Sequence, residues 1–335
     1  HTAYRRQRQM CIRDRDWDSP LGLADQLSLR ASRDAVSDSY RHSHSQSLYY
    51  SLPYGWWTFS YNYGQSYYRN KTDFNGFLAE TDGDYQSHNL LAERVLHRDS
   101  VSKTAFSTGL SHVRTNNFIE DNRIGISSNR LSEWQLGFNH GRRVGSAFVN
   151  ADIGWQRGIG AFDAQGNGHP RGQDPVARYN KYTLTLSYLQ PFSLGGERFS
   201  FESLATGQKS EDQLFSPARI SVGGLNSVRA YKDQSLSGNS GGYWRNQLRW
   251  TRPVTWAPLQ PFVQQYGAAL AYDVGVISHD EHNSGASGRL SGHALELSAR
   301  GEHLAASVTF AHSLERPDAF TEGERPVYFR LDVFF

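Results

Sequence analysis

The chain predicts an all-β protein: a transmembrane antiparallel β-barrel of sixteen strands, with one long loop folded into its lumen. Three observations carry this. Apolar residues recur with period two along most of the 335 residues, the alternation of strands with one apolar face. Aromatics make up 13% of the chain, yet mean hydropathy is −0.63 and 20% of residues are charged. A wall that is apolar on one face and polar on the other has this composition, because only alternate residues meet lipid. The last residues place Val327, Phe329, Leu331, Val333 and Phe335 on one apolar face. A soluble β-sandwich also alternates, but in a soluble protein an apolar terminal strand would be a liability.

The strands can be justified in order. The first half gives strands near 25–33, 44–53, 56–66, 73–80, 84–97, 102–115, 131–140 and 144–157. Pro53-Tyr54-Gly55 and Thr81-Asp82-Gly83-Asp84 are turn signals between them. Trp57, Phe59, Tyr61 and Tyr63 make one wholly aromatic face, as at the aromatic girdles of membrane walls. The second half gives 178–192, 197–208, 214–222, 241–253, 259–277, 289–300, 303–312 and 326–335. Tyr182, Leu184, Leu186 and Tyr188 oppose Lys181, Thr183, Thr185 and Ser187. Trp244, Leu248 and Trp250 oppose Arg245, Gln247 and Arg249, with Asn246 an exception on the apolar face. Short turns alternate with longer loops, the usual barrel asymmetry. The stretches 64–84 and 115–131 admit other parsings.

Residues 1–17 stand apart as a foreign segment. They hold the single Met and the single Cys, are rich in Arg, and have no apolar region of a signal peptide. They resemble translated sequencing-adapter sequence. The remainder, 18–335, reads as one domain. No run approaches the roughly 18 apolar residues of a spanning helix. One Cys excludes a disulfide framework and a CxxC metal site. The net charge of +2, with no Lys/Arg block, points away from nucleic acid. No Ser/His/Asp order can be singled out and no phosphate loop appears, so neither an enzyme nor a cofactor is expected. His42-x-His44 lacks a Cys or acidic partner at ligand spacing and falls in an expected surface loop, so no metal is assigned to it.

Two stretches remain. Ser227-Val228-Arg229-Ala230-Tyr231 lies in a long Gly/Ser-rich loop, and Ala271-Tyr272-Asp273-Val274-Gly275 alternates along a strand. One arginine in such a loop and one aspartate on the polar face suggest a loop folded into the barrel and tied to its wall. Asp273 shares its face with Ala269, Ala271 and Gly275, small neighbours that leave room for the loop. A guanidinium can grip a carboxylate through two parallel hydrogen bonds.

These residues resemble a family. Val228-Arg229-Ala230-Tyr231 is similar to the Val-Arg-Gly-Tyr loop tip of outer-membrane two-partner-secretion transporters, relatives of the barrel-assembly protein. Ala271 to Gly275 resembles the family's Phe-x-Asp-x-Gly strand motif, with Asp273 and Gly275 matching. Pro20-Leu21-Gly22-Leu23-Ala24-Asp25 resembles the family's lead-in to its first strand, and the terminal Phe335 fits outer-membrane barrels. Ala230 stands where the family has Gly, and Ala271 where it has Phe. If the tip needs φ > 0, Ala230 is strained; otherwise it uses φ < 0. Tyr231 or Tyr272 would replace the packing of the lost Phe.

The resemblance implies an Arg229–Asp273 contact and a monomeric barrel in outer-membrane lipid. It implies export of a large partner exoprotein of the haemolysin, adhesin or contact-dependent inhibition toxin type. It also implies two POTRA domains and a plug helix that these residues do not include. A passive porin and a barrel-assembly-type insertase are the alternatives. A porin needs no tip motif, and an outer-membrane phospholipase would need a nucleophile and base that cannot be singled out.

Overall fold

The computed structural model describes residues 10–34, 42–74, 77–167, 174–260, 262–279, 287–320 and 322–333. Its strands are β1 (Met10–Asp18), β2 (Gln26–Asp34), β3 (His42–Tyr54), β4 (Trp57–Phe74), β5 (Phe77–Arg98), β6 (Ser102–Ile119), β7 (Asn122–Arg123), β8 (Asn129–Val144) and β9 (Ala147–Ile159). There follow β10 (Asn180–Leu194), β11 (Glu197–Lys209), β12 (Ile220–Val222), β13 (Leu236–Gly238), β14 (Gly241–Pro253), β15 (Gln265–Ile277), β16 (Gly288–Arg300), β17 (Leu304–Glu315) and β18 (Val327–Val333). All but β12 and β13 form one sixteen-stranded sheet, each strand beside its neighbour in sequence, with the two-residue β7 paired to β6. Among the described residues there is no α-helix, and no pairing joins β1 to β18.

The sheet presents its apolar face outward. On β15, Leu270 is 62% exposed and Tyr272 41%, while Ala271 and Asp273 between and beyond them are 8% and 2% exposed. On β10, Tyr182, Leu184, Leu186 and Tyr188 are exposed, and Lys181 on the opposite face is buried. This inverts the rule of a water-soluble sandwich and is the pattern of a wall that meets lipid. Asn246 is also accounted for. Ser203 lies opposite it in the ladder and donates its hydroxyl to Asn246 Oδ1 at 2.9 Å, while Trp244 Nε1 donates to Ser203 Oγ at 2.8 Å. The outward amide oxygen thus finds a local donor, as an apolar surround requires.

Four expected boundaries differ. The strand expected at 73–80 straddles two elements, its first two residues ending β4 and residues 77–80 opening β5, which also takes in the strand expected at 84–97. The Thr81–Asp84 stretch of β5 pairs with β4 on one side and β6 on the other. Gly83 serves close approach there rather than a turn: a Cβ on it would lie 2.7 Å from the Asn116 carbonyl and 2.7 Å from Tyr68. The strand expected at 214–222 is not in the wall. A 3₁₀ turn at Ser216–Ala218 interrupts it, since Pro217 has no N–H to give a ladder, and only Ile220–Val222 pairs, with β13. The strand expected at 259–277 begins at Gln265. Ahead of it, Val263 N–H instead donates to Leu259 C=O at 2.9 Å, and Pro258 has no N–H to give. Finally, residues 10–17, set apart on composition, lie within β1, which pairs with β2 from Met10↔Asp34 to Asp18↔Gln26.

Smaller expectations also meet the structure. His42 and His44 lie on β3, not in a loop, and their rings flank Tyr67 at 5.6 and 5.5 Å. Pro20–Asp25 forms the β1–β2 turn. Asp25 is buried and accepts the Leu23 N–H at 3.2 Å and the Tyr50 hydroxyl at 3.0 Å. Phe335 lies outside the described residues.

Candidate functional site

The segment between β11 and β14 folds back onto the covered face of β14–β17. Two glycines make the fold-back possible. Gly223 and Gly224 have φ of 120° and 96°, which side-chain-bearing residues rarely adopt. Ser227 Oγ then ties the turn, accepting the Gly223 N–H at 2.8 Å and donating to the Gly223 carbonyl at 3.0 Å. Tyr231 N–H donates to Val228 C=O at 3.1 Å, and Gly224 N–H to Tyr231 C=O at 2.5 Å. The tip is therefore a closed turn with Arg229 at its head.

Arg229 meets Asp273 in the fork geometry. Nε donates to Oδ2 at 2.7 Å, Nη2 donates to Oδ1 at 2.9 Å, and the Arg229 backbone N–H adds a third bond to Oδ2 at 3.1 Å. Nη1 donates to Gln247 Oε1 at 2.5 Å. Arg229 is 4% exposed and Asp273 2%, so both charges have left water. Such charges persist only when each lone pair and N–H finds a partner. Arg245 stands beside the pair, its Nε 3.8 Å from Asp273 Oδ1 and its Nη1 donating to the Asn226 carbonyl at 3.1 Å.

Apolar packing surrounds the ion pair. Val222, Val228, Ala230, Tyr231 and Leu236 of the loop pack with Ala271, Ile277, Leu290, Ala294, Ala311 and Phe320 in one buried cluster. Gly275 is needed for contact: a Cβ there would meet Val228 Cγ2 at 2.9 Å and Val222 Cβ at 3.0 Å. Ala230 is not among the non-glycine residues with positive φ, so the expectation of strain gives way to the φ < 0 alternative. Its methyl sits against Gly292, whose Cβ position lies 2.2 Å from Ala230 Cβ. Tyr231, fully buried, belongs to the same buried cluster as Ala271, its ring 5.6 Å from that of Phe320, whereas Tyr272 faces outward. Of the two tyrosines weighed, it is Tyr231 that joins this cluster.

All six motif residues, Val228, Arg229, Ala230, Tyr231, Asp273 and Gly275, thus meet at one place. Other contributors carry no local motif. Tyr328 on β18 donates its hydroxyl to the Arg229 carbonyl at 2.9 Å. Glu324 accepts the Lys232 N–H at 2.7 Å and the Asp233 N–H at 3.0 Å. Tyr231 donates to the Glu315 carbonyl at 2.5 Å. Gln247 was legible in part, because alternation puts it on the face of Arg245 and Arg249. Beneath the tip a cavity of about 1360 Å³ reaches Arg229, Arg245 and Gln247 and runs to the short turns at Gly55 and Asp99. Among the described residues no cluster of three or more His, Cys, Asp or Glu could hold a metal.

An apolar-out sheet with a long loop tied by its tip arginine to a wall aspartate defines a membrane-embedded β-sheet protein with a loop seated on the sheet's covered face. The chain belongs to the haemolysin secretion/activation protein family ShlB/FhaC/HecB, which residues 10–299 match. It is 32% identical over 319 residues to the outer membrane transporter CdiB of Escherichia coli O6:K15:H31 (strain 536 / UPEC), covering 95% of this chain and 53% of that protein. It is 29% identical over 232 residues to the haemolysin transporter protein HpmB of Proteus mirabilis, covering 69% of this chain and 41% of that one. The solved structure of CdiB from Escherichia coli superposes with a TM-score of 0.89 at 31% identity, over 97% of this chain and 59% of that chain. The chain therefore spans about half the length of these relatives.

Proposed function

We propose that the chain forms the pore wall of an outer-membrane two-partner-secretion transporter that passes a large exoprotein of the haemolysin, adhesin or contact-dependent inhibition toxin type. In this reading the sheet is the wall of a barrel in outer-membrane lipid, and loop 210–240 is the plug inside its lumen. The observation that carries it is the buried, bidentate Arg229–Asp273 pair, which gives a long loop one defined seat on the wall. Removing one partner leaves the other charged and dry, at a cost of roughly 3–5 kcal/mol. The wall needs neither partner for its ladders, so insertion and gating separate.

In the complete transporter, Arg229→Ala and Asp273→Ala are expected to impair secretion of the partner while the wall still inserts, read as the folded, heat-modifiable band on gels. Full secretion by both variants would remove the tip from the mechanism. Steady conductance indifferent to Arg229 substitution would instead favour a passive channel. No nucleophile or cofactor enters this reading, and the chain is not an enzyme in it. POTRA domains in the complete protein would supply substrate recognition, and the wall acts as a monomer.

A further inference from the structure

A second ion pair, its lysine buried and its glutamate partly so, lies under the other limb of the same loop, away from the tip. Glu133 on β8 and Lys181 on β10 face each other across β9, with Lys181 Nζ 3.0 Å from Glu133 Oε1. Lys181 is 7% exposed. Tyr179, fully buried, donates its hydroxyl to Glu133 Oε1, and Ser111 Oγ donates to Oε2 at 3.3 Å. The lysine also reaches the loop, donating to the Ala218 carbonyl at 3.4 Å, and Gln208 Nε2 donates to that carbonyl at 3.1 Å.

The crossing is built for contact. A Cβ on Gly158 of β9 would lie 2.0 Å from the Ala177 carbonyl oxygen, so only glycine lets residues 177–179 pass over the strand. Gly158 N–H donates to Tyr179 C=O at 2.9 Å. Tyr179, Leu214 and Ala218 form a buried cluster with Val176 packed against it, and Val176 N–H donates to the Gln213 carbonyl at 2.9 Å. Burying an ion pair is a poor way to gain stability, since apolar residues of the same size often serve as well. What the pair adds is a direction: a cation held by Glu133 that presents one N–H to one carbonyl of the loop.

We propose that Lys181, Glu133 and Tyr179 are positioning residues that latch the 210–219 limb to β8–β10, independently of the tip clasp on β14 and β15. The two latches sit on different strands. Freeing the tip alone therefore swings the loop about a still-anchored limb, and full withdrawal requires both to open. What the swing is for rests on the pore reading; the anchoring itself does not.

Hydrogen exchange on the full chain in detergent micelles reads the two limbs separately. Glu133→Gln, Lys181→Met and the gentler Tyr179→Phe are expected to speed exchange of the amides in 210–219 by tenfold or more. Those in 227–236 should hold at the parent rate. Asp273→Asn should do the reverse. The proposal fails if 210–219 keeps the parent rate in these variants, or if 227–236 loosens in step with it. Should the charge variants not fold, Tyr179→Phe alone decides, because it keeps the ring in its packing. Exchange is read whether or not the chain conducts, so failure here is distinct from failure of the pore reading.

Discussion

Ala230 and Gly292 show how one methyl group is shared between a loop and its wall. With the two Cβ positions 2.2 Å apart, only one of the pair can carry a side chain. An alanine at the tip is therefore compatible with a glycine in the wall and needs no backbone strain. Ala230→Gly should leave a methyl-sized gap and loosen the tip by about 1 kcal/mol. Gly292→Ala should displace the tip more severely, since its Cβ also lies 2.8 Å from the His312 carbonyl oxygen. Joining Ala230→Gly to Gly292→Ala should restore part of the loss. Limited proteolysis of the loop in the two single variants and the double variant measures the order. A double variant no better than Gly292→Ala alone would show that the methyl contact is not what matters.

At the level of elements, β4, β5 and β6 are the long ones, and they continue past the level at which alternation is easiest to read. Gly83 lies in that continuation. The Asp-Gly-Asp run around it has turn chemistry, but pairing on both sides leaves no unsatisfied backbone, and the ladder overrides local preference. A Cβ on Gly83 has three atoms at 2.7 Å, the Asn116 carbonyl oxygen, Asn117 Oδ1 and Tyr68 Cε1. Gly83→Val should therefore destabilise this end of the β4–β6 ribbon by roughly 1–3 kcal/mol. Faster amide exchange at 115–118, with the lower halves of the same strands at the parent rate, is the expected reading. The turn at the other end of β5 is held differently. The Val101 and Ser102 amides, donating to Asp99 Oδ1 at 2.8 and 2.6 Å, hold that carboxyl below the usual carboxylate range. This tie persists at neutral pH and is lost as pH falls beneath that range.

For the whole molecule the governing fact is which face meets lipid. Leu186 and Thr185 are neighbours on β10 and face opposite ways, Leu186 outward. Leu186→Lys should cost about 2–4 kcal/mol of membrane folding if it lies near the midplane, while Thr185→Lys should be tolerated. Folding yield into phospholipid vesicles, read by heat modifiability, compares the two. Equal yields would contradict the assignment of faces.

Period-two alternation in the sequence by itself determined most of the wall strands and the face each side chain takes, while the two motifs that meet at the site were legible through their resemblance to a family. These are local properties, set by pleat geometry and by which residue types suit lipid. Only the tertiary structure decided that Thr81–Asp84 continues a strand, that Pro217 diverts residues 214–222 from the wall, and that β1 includes residues taken for a foreign segment. In each case a partner distant in the chain supplied or withheld the hydrogen bonds that local chemistry leaves open. The same holds for Tyr328, Glu324 and the Glu133–Lys181 pair. Their neighbours in sequence reveal nothing of them, because what makes them matter is a carbonyl or an amide brought to them by the fold.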